Sequence, residues 1–137
     1  MRREPLNILI VDDQAGVRYL LEIVVGEAGH RAHTARNGLE AVKLANSIRP
    51  DLVFMDVRMP IMGGLEALDK IKALTPETDV IIMTAFCSED TIAQAMQKGA
   101  LCCISKPFDV DELKIFLKRF KRERNDFRAT ATGGSDF

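Results

Sequence analysis

At 137 residues and 15.3 kDa, the chain is the size of one domain. Its 47% hydrophobic and 28% charged residues exclude wholesale disorder, and 19 Lys and Arg against 20 Asp and Glu leave a net charge of −1, with no overall basic field for nucleic acid. No apolar run approaches the roughly 20 residues that span a bilayer, and Met1-Arg2-Arg3-Glu4-Pro5 does not open a signal peptide, so a cytoplasmic chain that meets no membrane is expected.

Leu6 to Val11 is an apolar run that predicts a first strand, ending at Asp12-Asp13. Val17, Leu20, Leu21, Val24, Val25 and Ala28 follow with the spacing of an amphipathic helix, and Gly29 is placed to stop it. A short, weak strand is expected over Arg31 to Thr34, with His30 and His33 exposed on its flanks and Asn37-Gly38 as punctuation. Leu39, Ala41, Val42, Ala45 and Ile48 give a second helical face, closed before Pro50.

The unit then repeats. Leu52 to Met55 reads as a buried strand that ends at Asp56, and Arg58 to Gly64 reads as a loop from its Pro60, Gly63 and Gly64. Leu65, Leu68 and Ile71 begin a third helix, and Val80 to Met83 is a continuous apolar strand. Ser88 is a candidate cap for a fourth helix through Ile92, Ala95 and Met96, which Gly99 ends. Ala100 to Ile104 is a fifth strand, and Asp109 and Glu112 have capping-box spacing ahead of Leu113, Phe116, Leu117 and Phe120.

Continuous apolar strands alternating with helices predict an α/β domain, a doubly wound five-stranded parallel sheet with five helices. The unit is expected to cover residues 1–124, with 125–137 as a flexible tail after the basic run Lys118, Arg119, Lys121, Arg122 and Arg124. That run suits a helix C-terminus and needs no nucleic acid to explain it. The methionines are expected in core and loop packing. Cys87, Cys102 and Cys103 are odd in number, two of them are adjacent, and nothing supplies the spaced Cys/His pairs of a zinc site, so reduced thiols are expected.

In such sheets ligands bind beyond the carboxyl ends of the strands. Four of the five ends carry a charged or hydroxyl residue: Asp12-Asp13, Asp56, Thr84 and Lys106. Three carboxylates in one crevice repel one another, and a hard divalent cation with oxygen ligands, Mg²⁺ above all, relieves that repulsion. With an ammonium and a hydroxyl added, these are the parts for phosphoryl transfer, in which a carboxylate can be the nucleophile.

Val11-Asp12-Asp13, Asp56-Val57-Arg58-Met59-Pro60, Met83-Thr84-Ala85 and Ser105-Lys106-Pro107-Phe108 together resemble the receiver domain of two-component response regulators, over about residues 6 to 121. The resemblance implies a flavodoxin-like strand order of 2-1-3-4-5, an order for which a receiver of this family is itself a standard example. It implies that Asp56 is the phosphoacceptor, that Asp12, Asp13, Asp56 and the Arg58 carbonyl hold Mg²⁺ (with Mn²⁺ as a substitute), and that Lys106 and Thr84 contact the phosphoryl group. It further implies a cis Lys106–Pro107 peptide. Within the family the likeness leans to single-domain receivers of the sporulation phosphorelay, carried by Val11-Asp12-Asp13-Gln14, Gly16-Val17-Arg18, Leu20-Leu21, Ile81-Ile82-Met83-Thr84-Ala85, Gly99-Ala100-Leu101 and Lys106-Pro107-Phe108-Asp109.

The partners so implied are a sensor histidine kinase and a downstream histidine phosphotransfer protein, docking on Gln14, Gly16, Val17, Arg18, Pro107 and Phe108. The implied activity is Mg²⁺-dependent self-phosphorylation and relay, not that of a conventional enzyme. Cys103 departs from the family, which carries an aromatic residue or His there whose rotation relays phosphorylation to the surface; a thiol has no such swing. Two alternatives stay open: the amino-terminal receiver of a transcriptional regulator, and a metal-dependent phosphatase-like enzyme built on the acidic triad. The sequence offers nothing long enough after its fifth helix for a DNA-binding module, so no direct contact with nucleic acid is expected.

Overall fold

Each apolar run becomes a strand in the computed structural model, which describes residues 5–85 and 87–132. The order is β1 (Asn7–Val11), α1 (Ala15–Glu27), β2 (Arg31–Ala35), α2 (Gly38–Ile48), β3 (Leu52–Asp56), α3 (Gly64–Leu74), β4 (Asp79–Thr84), α4 (Glu89–Gln97), β5 (Cys102–Ser105) and α5 (Val110–Thr132). The strands form one parallel sheet in the order β2-β1-β3-β4-β5. Strength of pattern matches position. Every residue of β3 is buried, and only the first residue of β1 and of β4 is not, whereas the two edge strands β2 and β5 are mostly half-open, which is why their sequences are mixed.

Alternate strand residues point to opposite faces. Leu9, Val11, Val53, Met55, Val80 and Ile82 meet Ala41 and Ala45 of α2, Leu68 and Ile71 of α3 and Ala95 of α4. Ile8, Ile10, Leu52, Phe54, Ile81 and Met83 meet Leu21, Val24 and Val25 of α1 and Leu113, Leu117 and Phe120 of α5. Each fully buried Val, Leu, Ile, Phe or Met among them contributes about 1.5–3 kcal/mol relative to exposure. The methionines divide: Met55 and Met83 are core, Met59 and Met62 pack against it, and Met96 is 48% exposed on α4, contrary to the packing expected of it.

Local signals end the helices where expected. Gly29 and Gly99 take φ of 85° and 98°, conformations that favour glycine. Ser88 Oγ accepts the Thr91 N–H at 3.1 Å, and Asp109 Oδ1 accepts the N–H groups of Asp111 and Glu112 at 2.8 and 3.1 Å. Asn37, expected only as punctuation, also caps: its Oδ1 accepts the Glu40 N–H at 2.9 Å.

Two expectations need correction. His30 and His33 are not exposed. His30 is 8% exposed, and its Nδ1 accepts the Leu6 N–H at 3.1 Å, satisfying a backbone donor just ahead of β1. His33 is half-buried with Nε2 3.2 Å from Asn7 Oδ1. The second correction concerns the tail. α5 continues to Thr132, past the boundary drawn at Arg124, because no Gly or Pro interrupts the sequence before Gly133-Gly134. Residues 133–137 of the expected tail lie outside the described residues. Arg124 itself is more than part of a basic run: its guanidinium reaches Asp79 at 3.0 Å and Asp51 at 3.4 Å and lies over the Phe120 ring, tying α5 to the amino-terminal edge of the sheet. No helix among the described residues is long and apolar enough to cross a membrane.

Candidate functional site

The parallel sheet carries the ends of β1, β3, β4 and β5 to one edge, and the predicted residues gather there. Asp12, directly after β1, is fully buried. Its Oδ1 accepts the Gln14 N–H at 2.9 Å and its Oδ2 accepts Lys106 Nζ at 2.6 Å. It therefore orders the turn into α1, a role acidic residues also fill without any chemistry, but its second oxygen faces the other groups of the site. Asp13 beside it is exposed. Asp56, the last residue of β3, is 6% exposed with Oδ1 3.2 Å from the same Lys106 Nζ.

Two close approaches place the loop that follows Asp56. A Cβ on Gly64 would stand 2.0 Å from the Asp56 carbonyl oxygen, and one on Gly38 would stand 2.5 Å from the Met62 carbonyl oxygen. Only glycine allows α3 to start against the end of β3 and the loop to lie on the start of α2. Within the loop the Met62 N–H donates to the Pro60 carbonyl at 2.7 Å around Ile61, a β-branched residue at φ 72° and 77% exposed. This is a three-residue turn of the strained, positive-φ kind. Arg58 is exposed at the start of the loop.

Thr84 ends β4 and is 5% exposed; its carbonyl accepts the Lys106 N–H at 2.9 Å, extending the pairing of Thr84 with Ser105 by one residue. The Lys106–Pro107 peptide is cis. Asp13, Gln14, Asp56, Arg58, Thr84, Ala85 and Lys106 line a cavity of about 260 Å³. Clefts of 430, 510 and 490 Å³ flank α5; the first is lined by Lys114, Lys118, Lys121 and Arg122 with His30 and Glu27, and none of the three contains Asp12, Asp13 or Asp56.

The carboxylates of Asp12, Asp13 and Asp56 offer oxygens that all lie within 4.8 Å of one another. Burial, and then the charge of Asp12, push the Asp56 carboxyl above its ordinary value, with Lys106 opposing the shift. Burial pulls the Lys106 ammonium down, but its hydrogen bond to Asp12 and the charges of Asp56 and Asp12 outweigh burial and hold it above the ordinary lysine value. One cation against three carboxylates leaves the cluster in excess of negative charge. An all-oxygen donor set of this kind fits a hard divalent cation such as Mg²⁺.

Asp12, Asp13, Asp56, Arg58, Thr84 and Lys106 are thus brought together. Of the six residues expected to meet partners, Gln14, Gly16 and Pro107 are exposed, and of these Gln14 lines the cavity. Val17 and Phe108 pack partly against the core beneath α1 and α5, and Arg18 Nη1 donates to the Asp12 carbonyl at 2.7 Å. Sequence reasoning gave no role to Ala85, whose small side chain lines the cavity beside Thr84, nor to the close approaches at Gly38 and Gly64, visible only as turn-forming glycines.

Comparison with known proteins agrees with this geometry. The family model described as response regulator receiver domain matches residues 8–118. The chain is 42% identical over 114 residues to sporulation initiation phosphotransferase F of Bacillus subtilis, covering 83% of this chain and 92% of that protein. It is also 42% identical over 113 residues to the regulatory protein AtoC of Escherichia coli, covering 82% of this chain but only 24% of the relative, so it spans about a quarter of that protein. Among solved structures, the CheX–CheY–BeF3–Mg²⁺ complex from Borrelia burgdorferi superposes with a TM-score of 0.77 at 31% identity, covering 80% of this chain and 84% of that one.

Proposed function

The chain belongs to the response regulator receiver domain family, and on that premise we propose that Asp56 accepts a phosphoryl group from the phosphohistidine of a sensor kinase and passes it on as a stand-alone phosphorelay intermediate in the cytoplasm. Receiver domains are phosphorylated by histidine kinases and phosphotransferases and use Mg²⁺ at their acidic pocket. In this chain Asp12, Asp13, Asp56 and the Arg58 carbonyl would hold the ion, which when bound neutralises charge on the phosphoryl oxygens.

The residues divide the chemistry. An Asp56 carboxylate oxygen attacks phosphorus, an O–P bond forms, and the P–N bond to the donor imidazole breaks, its electron pair returning to nitrogen. Lys106, which already reaches Asp56 Oδ1 at 3.2 Å, offsets the charge of the transferred oxygens. The Thr84 hydroxyl, at the end of the neighbouring strand, donates a hydrogen bond to them. Gln14, which lines the cavity, together with Gly16, Val17, Arg18, Pro107 and Phe108 would form the surface on which a histidine-bearing helix, of the kinase or of a downstream phosphotransfer protein, presents its ring.

The observation that carries this proposal is the placing of one ammonium between two buried carboxylates at the floor of an open cavity. Intact-mass spectrometry after incubation with acetyl phosphate tests it. A single phosphoryl adduct that requires Mg²⁺ and is absent from Asp56→Asn is expected; an adduct that persists in that variant assigns the wrong nucleophile. Transfer of the label to a histidine phosphotransfer protein tests the relay role. The likeness to AtoC favours a second reading, the amino-terminal receiver of a longer transcriptional regulator, and the length of the native reading frame separates the two.

A further inference from the structure

A cleft of about 430 Å³ lies between the end of α1 and the first half of α5. It opens at the edge of the sheet opposite Asp56, since His30 on its wall directly precedes β2 whereas Asp56 ends β3. Lys114, Lys118, Lys121 and Arg122 line it, with Glu27 as its one carboxylate. Lys114 pairs with Glu27 at 3.0 Å, and the other three cations make no ion pair among the described residues. The helix dipole does not account for them, because α5 runs on to Thr132 and its last turn carries no basic residue. At spacings of i, i+4, i+7 and i+8 the four cations share one helix face, over about 12 Å of its length.

His30 supplies the second half of the site. It is only 8% exposed, and its Nδ1 accepts the Leu6 N–H at 3.1 Å, so the proton of the neutral ring is on Nε2. Nε2 has no protein partner among the described residues and is not sealed from water, and the residue lines the cleft. A buried donor is thus turned into a cationic cleft. Burial and the charge of Lys121 lower the His30 value, which keeps the ring neutral and Nε2 a donor at neutral pH.

We propose that this cleft binds an oligophosphate, the phosphoric anhydride chain of a nucleoside triphosphate or of inorganic tripolyphosphate, with Lys118, Lys121 and Arg122 on its oxygens and His30 Nε2–H donating to it. Three unpaired cations need several negative charges held close together, and a single carboxylate or phosphate leaves cations without partners. Successive phosphates of one chain match a row of cations along a helix. The Arg122 guanidinium offers a planar fork to two oxygens, and the ammoniums act as point charges. The volume is that of a small-molecule site, and a donor recessed in the wall suits a compact ligand better than a flat protein surface. The site takes no residue from the acidic cavity, so it stands apart from the function proposed above.

The full chain, free of divalent ions and at 0.15 M salt, is titrated with inorganic tripolyphosphate and, separately, with ATP, and followed by amide and imidazole NMR shifts. Saturable shifts confined to the end of α1, His30 and the α5 face from Lys114 to Arg122 are expected, with the His30 Nε2 signal moving. Lys118→Ala and Lys121→Ala should each weaken binding about 3–10-fold, whereas Lys43→Ala, an exposed lysine on α2, should not. Lys118 is exposed, so its loss leaves the fold intact. Equal affinity for the two probes assigns recognition to the phosphate chain alone, and tighter ATP adds the nucleoside to it; both support the site. Shifts centred on Lys106, or binding lost in Asp56→Asn, would place the anion in the acidic cavity and overturn the proposal. So would shifts spread over all the lysines without saturation, or an oligoglutamate peptide that binds the same face as tightly.

Discussion

Lys106 Nζ lies 2.6 Å from Asp12 Oδ2, a contact across 94 residues of chain that joins the end of β5 to the end of β1. The same nitrogen reaches Asp56, so the lysine is the internal counter-charge of the acidic cluster and competes with any cation for its oxygens. Lys106→Ala should therefore bind Mg²⁺ about 3–10-fold more tightly, the scale expected for removing a nearby like charge at a partly solvated site. Phosphoryl uptake should fall at the same time. Isothermal titration with Mg²⁺ checks the first half, and weaker binding would contradict it.

Asp56→Asn should be more stable than the wild type in the absence of divalent ions. The ionised Asp56 suffers from burial and from the charge of Asp12, and the amide keeps the volume without the charge. A higher midpoint in urea unfolding is expected from relieving a carboxyl whose value is raised. A loss of stability would mean that Lys106 compensates Asp56 fully.

Binding to the folded state alone stabilises it, by about 2.7 kcal/mol when the free ion is 100-fold above its dissociation constant. Mg²⁺ should accordingly raise the melting temperature of the wild type. Asp13 is the most exposed of the three carboxylates, and its replacement disturbs the core least. Asp13→Asn should fold normally and lose most of the Mg²⁺-dependent rise, as read by differential scanning calorimetry with and without the ion.

His30 predicts a pH dependence of opposite origin. Burial, and then Lys121, lower its folded value below the ordinary imidazole value of 6.5, with Asp51 opposing. The unfolded chain then takes up the proton first on acidification, so stability is lost as pH falls through 6.5 toward the lowered folded value. The slope from this one group is at most about 1.4 kcal/mol per pH unit. His30→Gln should flatten the stability profile between neutral and mildly acid pH in urea unfolding; an unchanged slope would place its origin elsewhere.

Arg124 anchors α5 by contacts to Asp51 and Asp79 and by stacking on Phe120. Arg124→Ala would leave both carboxylates facing each other without their shared cation, and a loss of about 2 kcal/mol is expected, between the values for exposed and buried pairs. Thermal unfolding at low and high salt checks it, with the difference from wild type shrinking as salt screens the pair.

The chemistry of the site was legible in one dimension because parallel strands bring their carboxyl ends to one edge, so Asp12-Asp13, Asp56, Thr84 and Lys106 could be placed together from the strand positions alone. Elements followed from apolar period and from local chemistry at Gly29, Ser88, Gly99 and Asp109, whose partners are close in sequence. What tertiary structure decided are contacts that no local pattern encodes. Lys106 meets Asp12 rather than solvent; Gly64 is required by the Asp56 carbonyl; His30 is buried where the Leu6 N–H finds it as acceptor; and Arg124 is an anchor and not part of a solvated run. Each depends on the crossing of segments far apart in the chain, which period and spacing do not specify.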